Sequence, residues 1–121
     1  MALTEYDSEL DIDPMFATTH REIWQRLGEC GTWWTGTQRV AAMSEARAAF
    51  ECHLCSERSD ALSPSMIEGK HDSVSDLPVE AVELVHRLTT DPGRLTQQWA
   101  DAIIDALGEE RYVEIAIIVC T

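Results

Sequence analysis

The chain has 121 residues, 45% hydrophobic and 26% charged, the make-up of one folded domain with a buried core. Nine Lys and Arg against 22 Asp and Glu leave a formal net charge of −13, which repels a phosphate backbone and argues against a nucleic-acid partner. The acidic start MALTEYDSELDIDP lacks the basic and apolar regions of a secretory signal. No stretch nears the roughly 20 apolar residues that span a bilayer, so a cytoplasmic protein without a membrane partner is expected.

Asp13-Pro14 reads as a helix cap followed by proline at the first helical position, and Gly28 closes a segment carrying Phe16, Ile23, Trp24 and Leu27. The Gly- and Thr-rich GECGTWWTGT is a loop in which Trp33 and Trp34 are expected as packing anchors. The alanine-rich QRVAAMSEARAAFE predicts a second helix leading straight into ECHLCSER. A shorter helix is expected from Cys55 to Leu62, ended by Ser63-Pro64. SMIEGKHDSVSDL reads as a loop with at most one helical turn, after which Pro78 opens PVEAVELVHRL. Asp91-Pro92 repeats the capping pattern ahead of GRLTQQWADAIIDAL, where Leu95, Trp99, Ile103 and Leu107 form a stripe closed by Gly108. The last segment, EERYVEIAIIVCT, is read as a helix with Tyr112, Ile115, Ala116 and Val119 on one side, because no second strand is in sight to pair with it. It stops inside an apolar run, as expected of an end buried against a partner or of a fragment. The fold class expected is therefore all-α, in a single domain over residues 1–121.

Four cysteines without a secretory signal favour redox or metal chemistry over a disulfide framework. Cys30 and Cys120 stand alone and read as buried small hydrophobes. Cys52 and Cys55, three apart, lie on one side of a helix and can close a reversible disulfide. A helix restarting near Cys52 would turn free N–H groups toward a cysteine in its first turn and favour the thiolate, whereas an uninterrupted helix would not.

Around this pair, His53 and Arg58 offer positive charge, and Glu45, Glu51 and Glu57 are candidate proton carriers. Glu45 precedes Cys52 by seven residues, about 10 Å along a continuous helix, so its contact would run through a water. Glu51 and Glu57 read as a solvated face. His71, between Glu68 and Asp72, is the better histidine for proton transfer, and His86 reads as a surface or interface residue. Zinc competes for a C-x-x-C, but His20, His71 and His86 form no second closely spaced pair, so neither metal nor cofactor is expected.

An alanine-rich helix followed by C-x-x-C resembles the AhpD-like alkylhydroperoxidases, kin of carboxymuconolactone decarboxylase. The segments GTWWTGTQRVAA, EARAAFECHLCSER, ALSP, VHRLTTDPGRLT and YVEI resemble an alkylhydroperoxidase-related branch, from Gly31 to the end of the chain. The resemblance implies an AhpD-like helical bundle that assembles as a homo-oligomer and continues beyond Thr121. It also implies reduction of organic hydroperoxides, with Cys55 as the peroxidatic residue, Cys52 as the resolving one, a glutamate–histidine proton relay, and recycling by a dithiol reductant protein. The relay positions of the family are Val40 and Ser59 here, so Glu45 is the candidate acid and His53 or His71 the candidate base. The alternative is a non-catalytic helical assembly protein whose C-x-x-C is structural or redox-sensing.

Overall fold

The structure, a computed structural model, describes residues 11–29 and 31–121. The expectation for Cys30 lies outside them. Among the described residues there are six α-helices and no strand: α1 Pro14–Leu27, α2 Gly36–Ala48, α3 His53–Ser59, α4 Val79–Thr90, α5 Gln97–Leu107 and α6 Glu109–Cys120. Among the described residues 3-10 turns interrupt the connections at Ala49–Glu51, Pro64–Met66 and Pro92–Arg94. None of these helices is long and apolar enough to cross a membrane.

The helix starts follow from side chains that satisfy free backbone N–H groups. Asp13 Oδ1 accepts from the Met15 N–H at 2.8 Å, with Pro14 behind it. Thr35 Oγ1 accepts from the Gln38 N–H at 3.1 Å while Gln38 Oε1 accepts from the Thr35 N–H at 3.0 Å, a reciprocal box that starts α2 two residues before Gln38. The expected helix from Asp91-Pro92 is corrected. Asp91 spends its carboxylate on Arg94 Nε at 2.9 Å, and Arg94 donates to the carbonyls of Arg58, Ser59 and Ala61. That leaves a single turn there, and α5 begins five residues later under Thr96, whose Oγ1 accepts from the Trp99 N–H.

α4 is the spine. Ala81, Leu84 and Val85 are fully buried, and the helix packs against α2, α3, α5 and α6. Ile103 and Leu107 of α5 and Ile115 and Ile118 of α6 complete the main core. Gly108, at φ 91°, makes the reversal between α5 and α6 in a region that costs side-chain-bearing residues energy. Trp34 is buried and its Nε1 donates to the Arg111 carbonyl at 3.0 Å, tying the loop before α2 to α6. Trp33 is about half exposed and anchors nothing in this core, contrary to expectation. Cys120 is likewise exposed rather than buried, because the last turn of α6 packs through Ile118, and Cys120, two residues on, falls on the opposite side of the helix.

Candidate functional site

The alanine-rich helix does not run through the dithiol. α2 ends at Ala48, a 3-10 turn follows, and Cys52 takes an extended conformation (φ −74°, ψ 127°) from which α3 restarts at His53. Cys52 therefore occupies the cap and Cys55 the first turn of the new helix. Backbone N–H groups turn toward the first sulfur: that of Asp72 reaches Cys52 Sγ at 3.4 Å. Burial raises the Cys52 thiol, but the N–H groups of Cys55 and Asp72, together with His71, carry it below its ordinary value.

Two imidazoles close over the sulfurs. His71 Nδ1 lies 3.5 Å from Cys52 Sγ and 3.6 Å from Cys55 Sγ, and His86 Nδ1 lies 3.4 Å from Cys55 Sγ. The two rings are 4.4 Å apart, tilted by 55°. Each has a carboxylate behind it: His86 Nε2 meets Glu45 Oε1 at 3.1 Å, and His71 Nε2 meets Glu83 Oε2. Glu83 is held in turn by Arg58 at 2.7 and 2.8 Å and by Trp99 Nε1 at 3.2 Å. Glu45 accepts from Ser73 Oγ, Ser75 Oγ and the Val74 N–H. The donor atoms of Cys52, Cys55, His71 and His86 all fall within 4.8 Å of one another.

Opposite charges so close favour the ionised form of each partner. Burial pushes the Cys55 thiol up, yet His71, His86 and Thr90 overcome it and bring the thiol down to about 6. Burial acts against the His71 imidazolium too, but Cys55, Glu83 and Cys52 raise it to about 10. His86 is raised against its own burial by Cys55 and Glu45. Glu83, against burial, is pulled down to about 2 by His71 and Arg58. Glu45 is lowered against its burial by Ser75, Ser73, His86 and Val74.

The irregular segment between the Pro64–Met66 turn and α4 carries His71 and lies over the thiols, which are only 1% and 3% exposed for Cys52 and Cys55. It is fastened at four places: Arg58 donates to the Ile67 carbonyl, Asp72 pairs with His53, Ser73 and Ser75 donate to Glu45, and His71 meets Glu83. Beneath its outer side lies a cleft of about 520 Å³, walled by Leu77, Val79, Val82 and Ile103 and bordered by His71 and Glu83.

The structure brings Cys52, Cys55 and His71 together, and Glu45 reaches the site through His86. His53 does not join them. Its side chain is 92% exposed, and its N–H and Nδ1 both meet Asp72 Oδ2, at 2.9 and 2.7 Å. His86, expected at a surface or interface, is fully buried against Cys55. Glu83 is the site residue that sequence reasoning misses. Its one legible signal is the three-residue spacing to His86 on a helix, which puts both on the same side. Glu51 and Glu57 are exposed, and so are Val40 and Ser59, the positions at which the resemblance would place a relay.

Comparison with protein-family models, with curated proteins and with solved structures finds no match to this chain.

Proposed function

We propose that the chain is an AhpD-like, thiol-dependent peroxidase that reduces organic hydroperoxides through Cys55 and Cys52. The observation that carries this reading is the placement of Cys55 Sγ between two imidazole nitrogens, at 3.6 and 3.4 Å, each ring backed by a carboxylate. A thiolate so placed is the form that peroxides oxidise, and the imidazoliums beside it hold the protons that the reaction consumes.

In the proposed cycle the Cys55 thiolate attacks the terminal oxygen of ROOH. The O–O bond breaks, Cys55 becomes a sulfenic acid, and the departing alkoxide takes a proton from the His86 imidazolium to leave as ROH. The Cys52 thiolate then attacks the Cys55 sulfur. The S–S bond forms, and hydroxide leaves as water with a proton from the His71 imidazolium. Two electrons pass from the dithiol to the peroxide. A dithiol reductant protein restores the thiols by exchange and supplies the electrons and protons. Glu45 and Glu83 hold the rings in place, Glu45–His86 serving as the relay that Val40 and Ser59 cannot form. The apolar walls of the cleft beside His71 suit the organic part of the substrate. The resemblance adds assembly as a homo-oligomer, and a dithiol recycled by exchange suits a reducing, cytoplasmic setting.

The test is intact-mass and free-thiol analysis of reduced protein given one equivalent of an organic hydroperoxide. The expected result is rapid loss of two thiols in the parent, with a sulfenate trapped in Cys52→Ser and none in Cys55→Ser. Thiols that survive as long as in uncatalysed oxidation would sink the proposal. The second reading, a helical assembly protein with a structural or redox-sensing dithiol, draws on the burial of both sulfurs. It predicts slow oxidation without turnover.

A further inference from the structure

The same four side chains pose a question that thiol chemistry alone does not answer. Both histidines turn Nδ1 toward the sulfurs and give Nε2 to a carboxylate. A neutral imidazole with its proton on Nε2, donated to a carboxylate, leaves the Nδ1 lone pair free to ligate, which is how metal-bound histidines are commonly oriented.

The distances agree. A tetrahedral zinc ion with Zn–S of about 2.3 Å and Zn–N of about 2.05 Å has an S···N edge of about 3.6 Å. Three of the four S···N separations in this site are 3.5, 3.6 and 3.4 Å, and all four donor atoms lie within 4.8 Å of one another. Two thiolates and two imidazoles are a donor set that suits zinc and disfavours magnesium or calcium, which prefer oxygen ligands. Two thiolate charges also neutralise a divalent ion in a site that water barely reaches. Its ligands come from a helix restart (Cys52, Cys55), an irregular segment (His71) and the core helix α4 (His86), so the cation would join three parts of the fold.

We infer that Cys52, Cys55, His71 and His86 form a tetrahedral binding site for one divalent cation of the zinc class, with Glu45 and Glu83 orienting the histidines. The inference does not rest on peroxidase activity. Both uses draw on the same sulfurs, however, and a Cys52–Cys55 disulfide removes two of the four ligands. Cation binding is therefore confined to the reduced chain.

The experiment titrates Co²⁺ into reduced, chelator-stripped protein of the full chain and follows its absorption spectrum. Expected are one equivalent bound, visible d–d bands of tetrahedral intensity, thiolate-to-cobalt charge transfer in the near ultraviolet, and displacement by Zn²⁺. His86→Ala and His71→Ala, checked for helicity by circular dichroism, lose the tetrahedral spectrum, and Glu83→Gln weakens binding by about 10- to 100-fold. Should a histidine variant not fold, X-ray absorption of zinc-loaded parent protein decides by its shell: two sulfurs and two nitrogens are expected. An octahedral spectrum in folded parent protein, a tetrahedral spectrum that survives loss of both histidines, or a zinc shell without nitrogen would overturn the inference. Hydroperoxide consumption by metal-free protein is read separately, so either proposal can fail while the other stands.

Discussion

Cys55 Sγ lies 3.4 Å from His86 Nδ1, and the far nitrogen of that ring meets Glu45 Oε1 at 3.1 Å, a three-membered chain buried between α2, α3 and α4. His86→Asn removes one of the two imidazoles that favour the thiolate. A thiol near 6 is mostly ionised at pH 7, whereas one at the ordinary value of 9.0 is about one per cent ionised, so up to about 90-fold of nucleophile is at stake. The rate of hydroperoxide consumption should fall toward that limit in His86→Asn and by less in Glu45→Gln, which keeps the ring. Stopped-flow oxidation at pH 7 checks the order, and equal rates in all three proteins would show that the ring does not act on Cys55.

In chelator-treated, reduced protein the pH dependence of stability has a worked-out shape. Cys55 is depressed from 9.0 to about 6, so its contribution is complete above 9.0 and is lost as pH falls through about 6. His71 is raised from 6.5 to about 10, so its contribution is complete below 6.5 and is lost as pH rises through about 10. Between 6.5 and 9.0 the folded pair holds one proton on His71 and the unfolded pair holds one on Cys55, so their effects on the slope cancel. Urea unfolding should show this pair contributing a flat region there, with a decline on the alkaline side up to about 10. Cys55→Ser should lose the plateau. Thiolate absorbance should rise with a first midpoint near 6.

The segment over the thiols should act as a cover whose latch is the exposed His53–Asp72 pair. Asp72→Asn loosens that latch without touching either sulfur's histidine. Alkylation of Cys55 by a small maleimide, followed by mass, should speed up several-fold. An unchanged rate would place the opening elsewhere along residues 67–77.

Glu83 gathers Arg58, His71 and Trp99 onto one carboxylate, with Arg58 and Glu83 side chains only 10% and 17% exposed. Glu83→Ala leaves a largely buried guanidinium without its anion, a loss of about 3–5 kcal/mol for pairs of this kind. Chemical denaturation measures it. A loss below about 1 kcal/mol would mean that water or another group replaces the carboxylate.

The two neighbouring tryptophans should separate cleanly. Trp34→Ala empties a buried site and removes a hydrogen bond to α6, costing about 3–5 kcal/mol, whereas Trp33→Ala, at an exposed position, should stay within about 0.5 kcal/mol. Thermal melts of the two variants decide.

Much of the helical outline was legible because its signals are local. Asp13-Pro14, the alanine-rich run before Cys52, Pro78 and Gly108 each act on the residues beside them. Asp91-Pro92 misled because Asp91 has two possible uses, and the choice was made by Arg94, which bonds carbonyls more than thirty residues away. The site was half legible for the same reason. Cys52 and Cys55 announce themselves by spacing, but His86 and Glu83 reach them only through the packing of α4 against α3, a tertiary fact with no local mark. His53 is a candidate base only by its adjacency to Cys52, yet as the first residue of α3 its side chain projects outward.

The groups around the sulfurs differ in what holds them. Cys55, His86 and Glu45 stand on helices, two of which pack into the main core, whereas His71, Asp72, Ser73 and Ser75 hang on an irregular strap tied by side-chain bonds. One wall is masonry and the other is a door. On the proposed reading a hydroperoxide would come in on the side of His71, where the cleft walled by Leu77 and Ile103 would take its organic part. The side-chain bonds that tie the strap, rather than the sulfur chemistry behind it, would then set what reaches this centre.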